Sequence, residues 1–197
     1  MITYGIDSDQ AQRLISVIGD VPKSIRRELK TAVNATAKQT RSSMNKTVRE
    51  KMIVKVDAVN RVLKIKSKAT DDALTASVQL SKEGRIPLKE FGARQTKKGV
   101  SYRINKQEGR KVAAGAFQGP KLGQMKVSWK GHVFKRLGKT RLPIAKLFGP
   151  SPWGVFVVGE HVQPTVVESK VELKKQIERR IRFLTLKANG GLRGKQK

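Results

Sequence analysis

The chain contains no cysteine, few aromatic residues and few acidic residues. Without cysteine it forms neither a disulfide nor a cysteine-ligated metal site. Aromatic residues make up 5% and hydrophobic residues 38% of its 197 positions, so we expect a core that is modest for the length. No apolar run approaches the roughly 20 residues of a membrane-spanning helix, and the N-terminus lacks the regions of a signal peptide. We therefore expect a soluble protein assembled inside a cell, with no membrane partner.

Basic residues are in large excess. Lysine and arginine total 43 against 15 aspartate and glutamate residues, which gives a net charge of +28. This excess is beyond what solubility requires, because a chain so charged repels itself until a polyanion neutralises it. Nucleic acid and an acidic protein surface both fit that role, and composition does not separate them.

Helical periodicity occupies both ends of the chain. From Ile25 to Val48, apolar residues recur at three- and four-residue spacing opposite a basic face, which predicts a long amphipathic helix after Pro22. A second stripe, from Val167 to Leu184, predicts a helix that ends before the glycines at 190 and 191. A short helix is expected over residues 8–18.

Strands are predicted for the middle of the chain. Short apolar runs at residues 75–80, 86–91, 100–104 and 132–136 are separated by glycine, proline and basic residues. Residues 95–99 predict the turn of a hairpin between the second and third runs. Asp57 is compatible with the start of a short helix and residues 63–67 with a strand, and both assignments stay open. Residues 142–152 are expected to be extended or irregular because of their prolines.

Together these patterns predict one α+β domain over residues 1–187. We expect it to be helical over 8–50, β-rich over 73–156 and helical again over 164–187, with a basic flexible tail over 188–197. A small, mainly antiparallel sheet would pack with the long N-terminal helix and the C-terminal helix. Residues 106–130 are expected to form a long, basic, Gly-rich loop that becomes ordered only on assembly.

Catalytic constellations are missing from the sequence. His132 and His161 belong to no metal-binding pattern, and the acidic residues do not cluster as a magnesium site requires. The Gly-Lys-Thr at residues 138–140 lacks the upstream glycine and strand of a phosphate-binding loop. We therefore predict no enzyme, no catalytic residue, and no metal or other cofactor.

The sequence motifs of common nucleic-acid-binding domains are also missing, since no zinc-finger, RRM or leucine-zipper pattern occurs. Tyr102, Phe117, Trp129 and Phe134 stand too far apart along the chain for the aromatic interleaving of single-strand-binding proteins. Contact with nucleic acid is therefore expected through phosphates, without readout of base sequence.

Five short motifs follow one another in the central stretch. They are Pro87 with Phe91-Gly92-Ala93-Arg94; Gly99-Val100; Gly115-Ala116-Phe117; Val133-Phe134-Lys135-Arg136; and Arg141-Leu142-Pro143-Ile144 leading to Gly149-Pro150-Ser151. In this order they resemble the prophage minor tail protein Z family, the tail-completion proteins of lambda-type long-tailed bacteriophages. The resemblance covers residues 20–185 and is strongest over residues 84–152.

The resemblance implies a structural virion protein at the head-proximal end of the tail, assembled in the host cytoplasm. Such a protein helps to finish the tail and prepares it to join the head and pass DNA. It implies a homo-oligomeric ring, a hexamer where it matches the tail tube, with tail terminator, tail tube and connector proteins as partners. Genomic DNA in the channel would be contacted non-specifically. The alternative function is a basic nucleic-acid-binding protein outside the virion, associated with the nucleoid or the ribosome.

Two sets of residues are candidate contacts. Apolar residues near the last motif either pack in the core or insert into a neighbouring protomer: Leu142, Pro143, Ile144, Leu147 and Phe148. Basic residues of the hairpin turn and the Gly-rich loop are candidates for contact with DNA or an acidic partner: Arg94, Lys97, Lys98, Arg110, Lys111 and Lys121.

Overall fold

A computed structural model describes residues 2–5, 23–120 and 129–188. Its elements in chain order are β1 (Ile2–Gly5), α1 (Lys23–Lys51), α2 (Val56–Val62), β2 (Leu63–Ser67), β3 (Ser77–Leu80), a 3-10 turn (Leu88–Phe91), β4 (Arg94–Thr96), β5 (Gly99–Tyr102), β6 (Lys111–Ala114), β7 (Ala116–Gln118), β8 (Val133–Arg136), β9 (Ile144–Lys146), α3 (Pro152–Val158) and α4 (Val162–Ala188). The predicted α+β class is confirmed. The predicted helix over residues 8–18 and the tail from residue 189 lie outside the described residues.

The two long helices confirm the periodicity of the sequence. Helix α1 has 29 residues and carries Arg49 and Lys51 in its last turn, where positive charge favours the helix end. Helix α4 has 27 residues, with Pro164 in its first turn, and it ends one residue before Asn189-Gly190. Between them the two alternatives left open are both present, since α2 contains Asp57 and β2 begins at Leu63.

The described residues divide into two compact units. Of the described residues, the central unit comprises 44–63, 80–120 and 129–161. The helical unit comprises 2–5, 23–43, 64–79 and 162–188.

In the helical unit, α1 and α4 run antiparallel and are joined by two polar contacts. Ser43 Oγ donates to Glu168 Oε2 at 2.9 Å, and Arg180 Nη1 lies 3.5 Å from Glu28 Oε2. The buried face of α1 consists of small side chains, which allow close packing: Ala32, Val33, Thr36, Ala37 and Thr40.

The same unit contains a three-stranded sheet in the order β1-β3-β2. Asn34 of α1 holds the connection that follows β2. Its Nδ2 donates to the Ala69 carbonyl at 3.0 Å, and its Oδ1 accepts from the Ala69 amide at 2.9 Å. A half-buried amide that satisfies both backbone groups of one residue fixes the course of that connection.

In the central unit, two three-stranded antiparallel sheets follow one another, in the orders β4-β5-β6 and β7-β8-β9. The predicted hairpin exists, but its strands are β4 and β5. The prediction of a strand over residues 86–91 was wrong, because residues 88–91 form the 3-10 turn. Gly99 closes the hairpin with φ +142°, and an added Cβ there would lie 2.1 Å from the Ala113 carbonyl oxygen. Glycine is therefore required at this position.

Two further predictions from the sequence need correction. Part of the expected 106–130 loop forms β6 and β7, which pair with β5 and β8, with Gly115 at φ +67° between them. Residues 121–128 of that loop lie outside the described residues. The stretch over 142–152 was expected to be extended or irregular. The strand β9 agrees with this, but the stretch also contains the start of α3, where Ser151 Oγ caps the Trp153 amide and Pro152 occupies the first turn.

Two motifs that are distant in the chain pack together in the central unit. The Leu88 amide donates to the Leu147 carbonyl at 3.0 Å, and the Gly149 amide donates to the Ile86 carbonyl at 2.8 Å. Phe91 is fully buried beside this connection. An added Cβ on Gly149 would lie 2.3 Å from Cε2 of the Phe91 ring, so the ring occupies the space that glycine leaves.

We predict that Gly149→Ala destabilises the protein by about 1–3 kcal/mol, because the new methyl group overlaps a buried ring in a packed core. Urea unfolding followed by circular dichroism measures the change. Gly109→Ala is the matched control, since a Cβ there meets no atom within 4 Å. An unfolding midpoint for Gly149→Ala at or above that of Gly109→Ala would contradict the packing of the Phe91 ring against Gly149.

Candidate functional site

Three of the predicted basic contacts lie together on the β4–β5 hairpin. Arg94, Lys97 and Lys98 are all exposed, and the two lysines form the turn that the Thr96–Gly99 pair closes. Thr96 Oγ1 donates to the Gly99 carbonyl at 2.8 Å, which stabilises the turn. The hairpin therefore presents three positive charges at one end of its sheet.

The other three predicted contacts are placed differently. Arg110 donates to the carbonyls of Gly92 and Ser101 at 2.7 and 3.0 Å, so its guanidinium holds the backbone. Lys111 lies 2.6 Å from Glu108, whose carboxyl pKa is lowered by the hydrogen bond from Lys111. Lys121 lies outside the described residues.

The predicted apolar contacts are partly anchored and partly exposed. Leu142 is 66% exposed and Phe148 is 46% exposed. Ile144 and Leu147 are half-buried, and the Leu147 amide donates to the Val133 carbonyl at 2.8 Å. Pro143 follows a cis peptide bond between these exposed and anchored parts. The segment therefore belongs to the fold and also offers apolar surface.

A second group of cations was not predicted from the sequence. We define the cation cluster as Arg61, Lys89, Lys130 and Lys146. Only one carboxylate pairs with it among the described residues: Glu90 Oε1 lies 3.1 Å from Arg61 Nη2 and 4.0 Å from Lys89 Nζ. Lys89 Nζ also donates to the Lys130 carbonyl at 3.0 Å. Arg61 and Lys89 therefore share one buried carboxylate, and no described acidic side chain pairs with Lys130 or Lys146.

Lys146 of the cation cluster contacts the ring of His132. Lys146 Nζ lies 3.2 Å from His132 Nε2, so the ring accepts a hydrogen bond and carries its proton on Nδ1. That buried Nδ1 has no hydrogen-bond partner among the described residues. Burial, followed by the charges of Lys146 and Lys89, lowers the pKa of His132 to about 4. Burial and the neighbouring cations also lower the pKa of Lys146.

Next to these cations lies an aromatic cluster formed by Phe117, Trp129 and Phe134. The ring centroid of Phe117 lies 6.1 Å from that of Trp129 and 6.1 Å from that of Phe134. The centroids of Trp129 and Phe134 are 5.1 Å apart. The expectation that the aromatic residues stand too far apart was therefore wrong for these three, because β7 and β8 pair and bring them together. None of the ring contacts among the described residues joins Tyr102 to the cluster. Their side chains are half-buried.

One signal in the sequence indicates this arrangement. His132, Phe134 and Arg136 alternate along one strand, and Ile144, Lys146 and Phe148 alternate along the next. Period-two alternation places each set on one face of its strand, so pairing the two strands joins an aromatic face to a cationic one.

Within the described part of the chain, no group of three or more histidine and acidic side chains could hold a metal ion. The same part of the chain contains no helix with the length and apolar character needed to span a bilayer. Instead, basic side chains cluster on the described surface, and clustered basic side chains are suited to binding anions.

A model of the family described as prophage minor tail protein Z matches residues 11–187. No curated protein and no solved structure matches the chain.

We predict that His132 stays neutral until the pH falls to about 4. Its folded pKa lies below the value of about 6.5 of an unfolded chain, so the unfolded state binds more protons between these values. The stability that depends on neutral His132 is therefore present above about pH 6.5 and is lost as the pH falls toward the folded pKa. An NMR titration of the imidazole in a His161→Gln background measures this pKa.

In the same background, Lys146→Gln should raise the pKa of His132 by removing the nearest positive charge. The control is Lys135→Gln, which removes a charge from the neighbouring strand β8, on the face opposite that of Phe134. A pKa of about 6.5 for His132, or no response to Lys146→Gln, would contradict the described cluster.

Proposed function

Because the chain belongs to the prophage minor tail protein Z family, we propose that it is a structural protein at the head-proximal end of a long-tailed phage tail. There it would complete the tail and join the head–tail junction. The observation that carries the proposal is the match of the family model to residues 11–187, which extends through both units of the structure. A structural role in the tail requires surfaces for neighbouring proteins.

Apolar surface supports the proposed assembly of copies into a ring. Leu137 and Leu142 flank the β8–β9 turn and are 68% and 66% exposed. Exposed leucines on a short two-stranded projection are suited to insertion between the side chains of a neighbour. The proposed subunit interface comprises Leu142, Pro143, Ile144, Leu147 and Phe148, with a six-fold ring as the arrangement that matches a tail tube.

The positive charge supports a location next to DNA. Arg94, Lys97 and Lys98 project from one hairpin, where they would contact phosphates without reading bases. Binding of this kind is weak and falls steeply with salt, which suits a channel through which DNA must pass. The remaining partners in this proposal are the tail terminator, tail tube and connector proteins, which would complete the virion neck after assembly in the host cytoplasm.

The alternative is a nucleic-acid-binding protein of the nucleoid or the ribosome. It accounts for the net charge of +28 but leaves the exposed leucines without a role. Fractionation of induced cells separates the two functions. The proposal predicts recovery of the protein with purified tails and virions, and recovery in the ribosomal or nucleoid fraction would favour the alternative.

We predict that Leu142→Asp leaves the protein folded but blocks its incorporation into tails. The side chain is already largely exposed, so stability should change by less than about 0.5 kcal/mol, whereas a charge at an apolar interface is costly. The measurement is the amount of the variant in tails purified from a phage that lacks its own copy, with thermal unfolding of the free variant alongside.

Val112→Asp is the matched control, because Val112 is 51% exposed on β6 in the other sheet of the central unit. Incorporation of Val112→Asp together with exclusion of Leu142→Asp supports the interface. Equal incorporation of both variants would remove Leu142 from the proposed interface.

A further inference from the structure

The sheet β7-β8-β9 places aromatic and basic side chains in one row. Phe117 pairs with Phe134 across β7 and β8, and Phe134 pairs with Lys146 across β8 and β9. Residues directly opposite one another in antiparallel strands share a face. Arg136, two residues beyond Phe134, lies on that face as well. We define the aromatic face as Phe117, Trp129, Phe134, Arg136 and Lys146.

The rings of this face are not part of the core of the central unit. On the opposite side of the sheet, Val133 is fully buried, whereas Phe117, Trp129 and Phe134 remain half-exposed. The position of Trp129 is fixed by Gly119, where an added Cβ would lie 2.7 Å from the indole Cε3. Phe117 is covered by Arg136, whereas Trp129 and Phe134 are held in place and partly open to solvent, so these two rings can present aromatic surface to a flat ligand.

The cations of the face contact neutral groups, and Arg136 Nη1 donates to the Arg141 carbonyl at 2.6 Å. Arg136 lies over Phe117 with its Cζ 5.5 Å from the ring centroid, and Lys146 Nζ lies 5.2 Å from the centroid of Phe148. Neither Arg136 nor Lys146 forms an ion pair with the described acidic side chains. The cation cluster leaves Lys146 half-buried beside other positive charges, so an incoming oxyanion would relieve their repulsion.

We propose that the aromatic face binds a single-stranded nucleic acid, with bases stacked on Trp129 and Phe134 and phosphates held by Arg136 and Lys146. Three strands at about 4.8 Å spacing give a row about 10 Å wide, which accommodates two or three bases. A duplex buries the flat faces of its bases, so only an unpaired strand can use the rings. An acidic protein would satisfy the cations alone.

This inference goes beyond the proposed function, because it does not depend on where in a virion the chain is located. It also differs from the hairpin contacts of Arg94, Lys97 and Lys98, which require only phosphates. The two surfaces are therefore distinguishable by the nucleic acid they prefer and by the variants that weaken each.

The test is a titration of the full chain with a short oligothymidylate and with a duplex of equal length. Trp153→Phe leaves Trp129 as the only tryptophan, because the chain contains two. We expect oligothymidylate to quench Trp129 fluorescence. Phe134→Leu keeps the apolar volume but removes a stacking surface, and it should weaken oligothymidylate binding roughly tenfold, since stacking contributes about 1–3 kcal/mol per base.

Lys146→Gln should weaken the same binding several-fold. It should also reduce the slope of log K against log salt concentration by about 0.7 for each phosphate contact that is lost. Lys135→Gln is the matched control, with the same loss of charge on the other face of β8, and it should leave affinity within about twofold. Duplex binding should respond to a triple change of Arg94, Lys97 and Lys98 to Gln and should be insensitive to Phe134→Leu.

Unchanged oligothymidylate affinity in a folded Phe134→Leu variant would overturn the inference and leave the proposed tail function intact. Displacement of the oligonucleotide by polyglutamate at equal charge concentration would also overturn it and would assign the face to an acidic protein. Exclusion of the protein from tails, with quenching of Trp129 retained, would reject the tail location and leave the inference standing.

Discussion

The packing of Phe91 against Gly149 positions the main features of the central unit. A fully buried ring occupies the space that a side chain at residue 149 would need, and backbone hydrogen bonds from Leu88 and Gly149 join the same two segments. The 3-10 turn that carries Phe91 also carries Lys89 and Glu90, and the segment that carries Gly149 also carries Lys146. One packing contact therefore brings together cations that are far apart in the chain.

The resulting electrostatics are unbalanced. Glu90 neutralises part of the charge of Arg61 and Lys89, whereas Lys146 pairs with none of the described carboxylates and lies beside the neutral His132 ring and the Phe148 ring. Burial and like charges both oppose the protonated form of each group, and both pKa values move down. Such an arrangement is destabilising in the free protein and favourable once an anion arrives. The aromatic cluster lies next to these cations. It favours a nucleic acid as the anion, because a nucleic acid supplies both phosphates and flat rings.

The sequence predicted features that depend on local pattern. The long helices follow from three- and four-residue spacing over more than twenty residues, and the hairpin turn at residues 95–99 follows from its glycine and polar neighbours. The sequence does not predict helix α3, because the prolines nearby favour extended or irregular structure, although Ser151 and Pro152 are also typical helix starts. The strands β6 and β7 were missed because they are short and lie among glycines. The cation and aromatic clusters depend on strand pairing between distant segments, which spacing along one segment does not specify.

The proposed function makes this chain a structural component at the head-proximal end of a phage tail, next to the path of the DNA. A cryo-electron microscopy reconstruction of the assembled tail end is the decisive experiment, because it counts the copies and locates each surface. We expect a closed ring at that end, with the 142–148 segment between neighbouring copies and the β4–β5 hairpin directed toward the channel. Copies at the distal end of the tail, or a ring whose hairpin faces away from the channel, would contradict it.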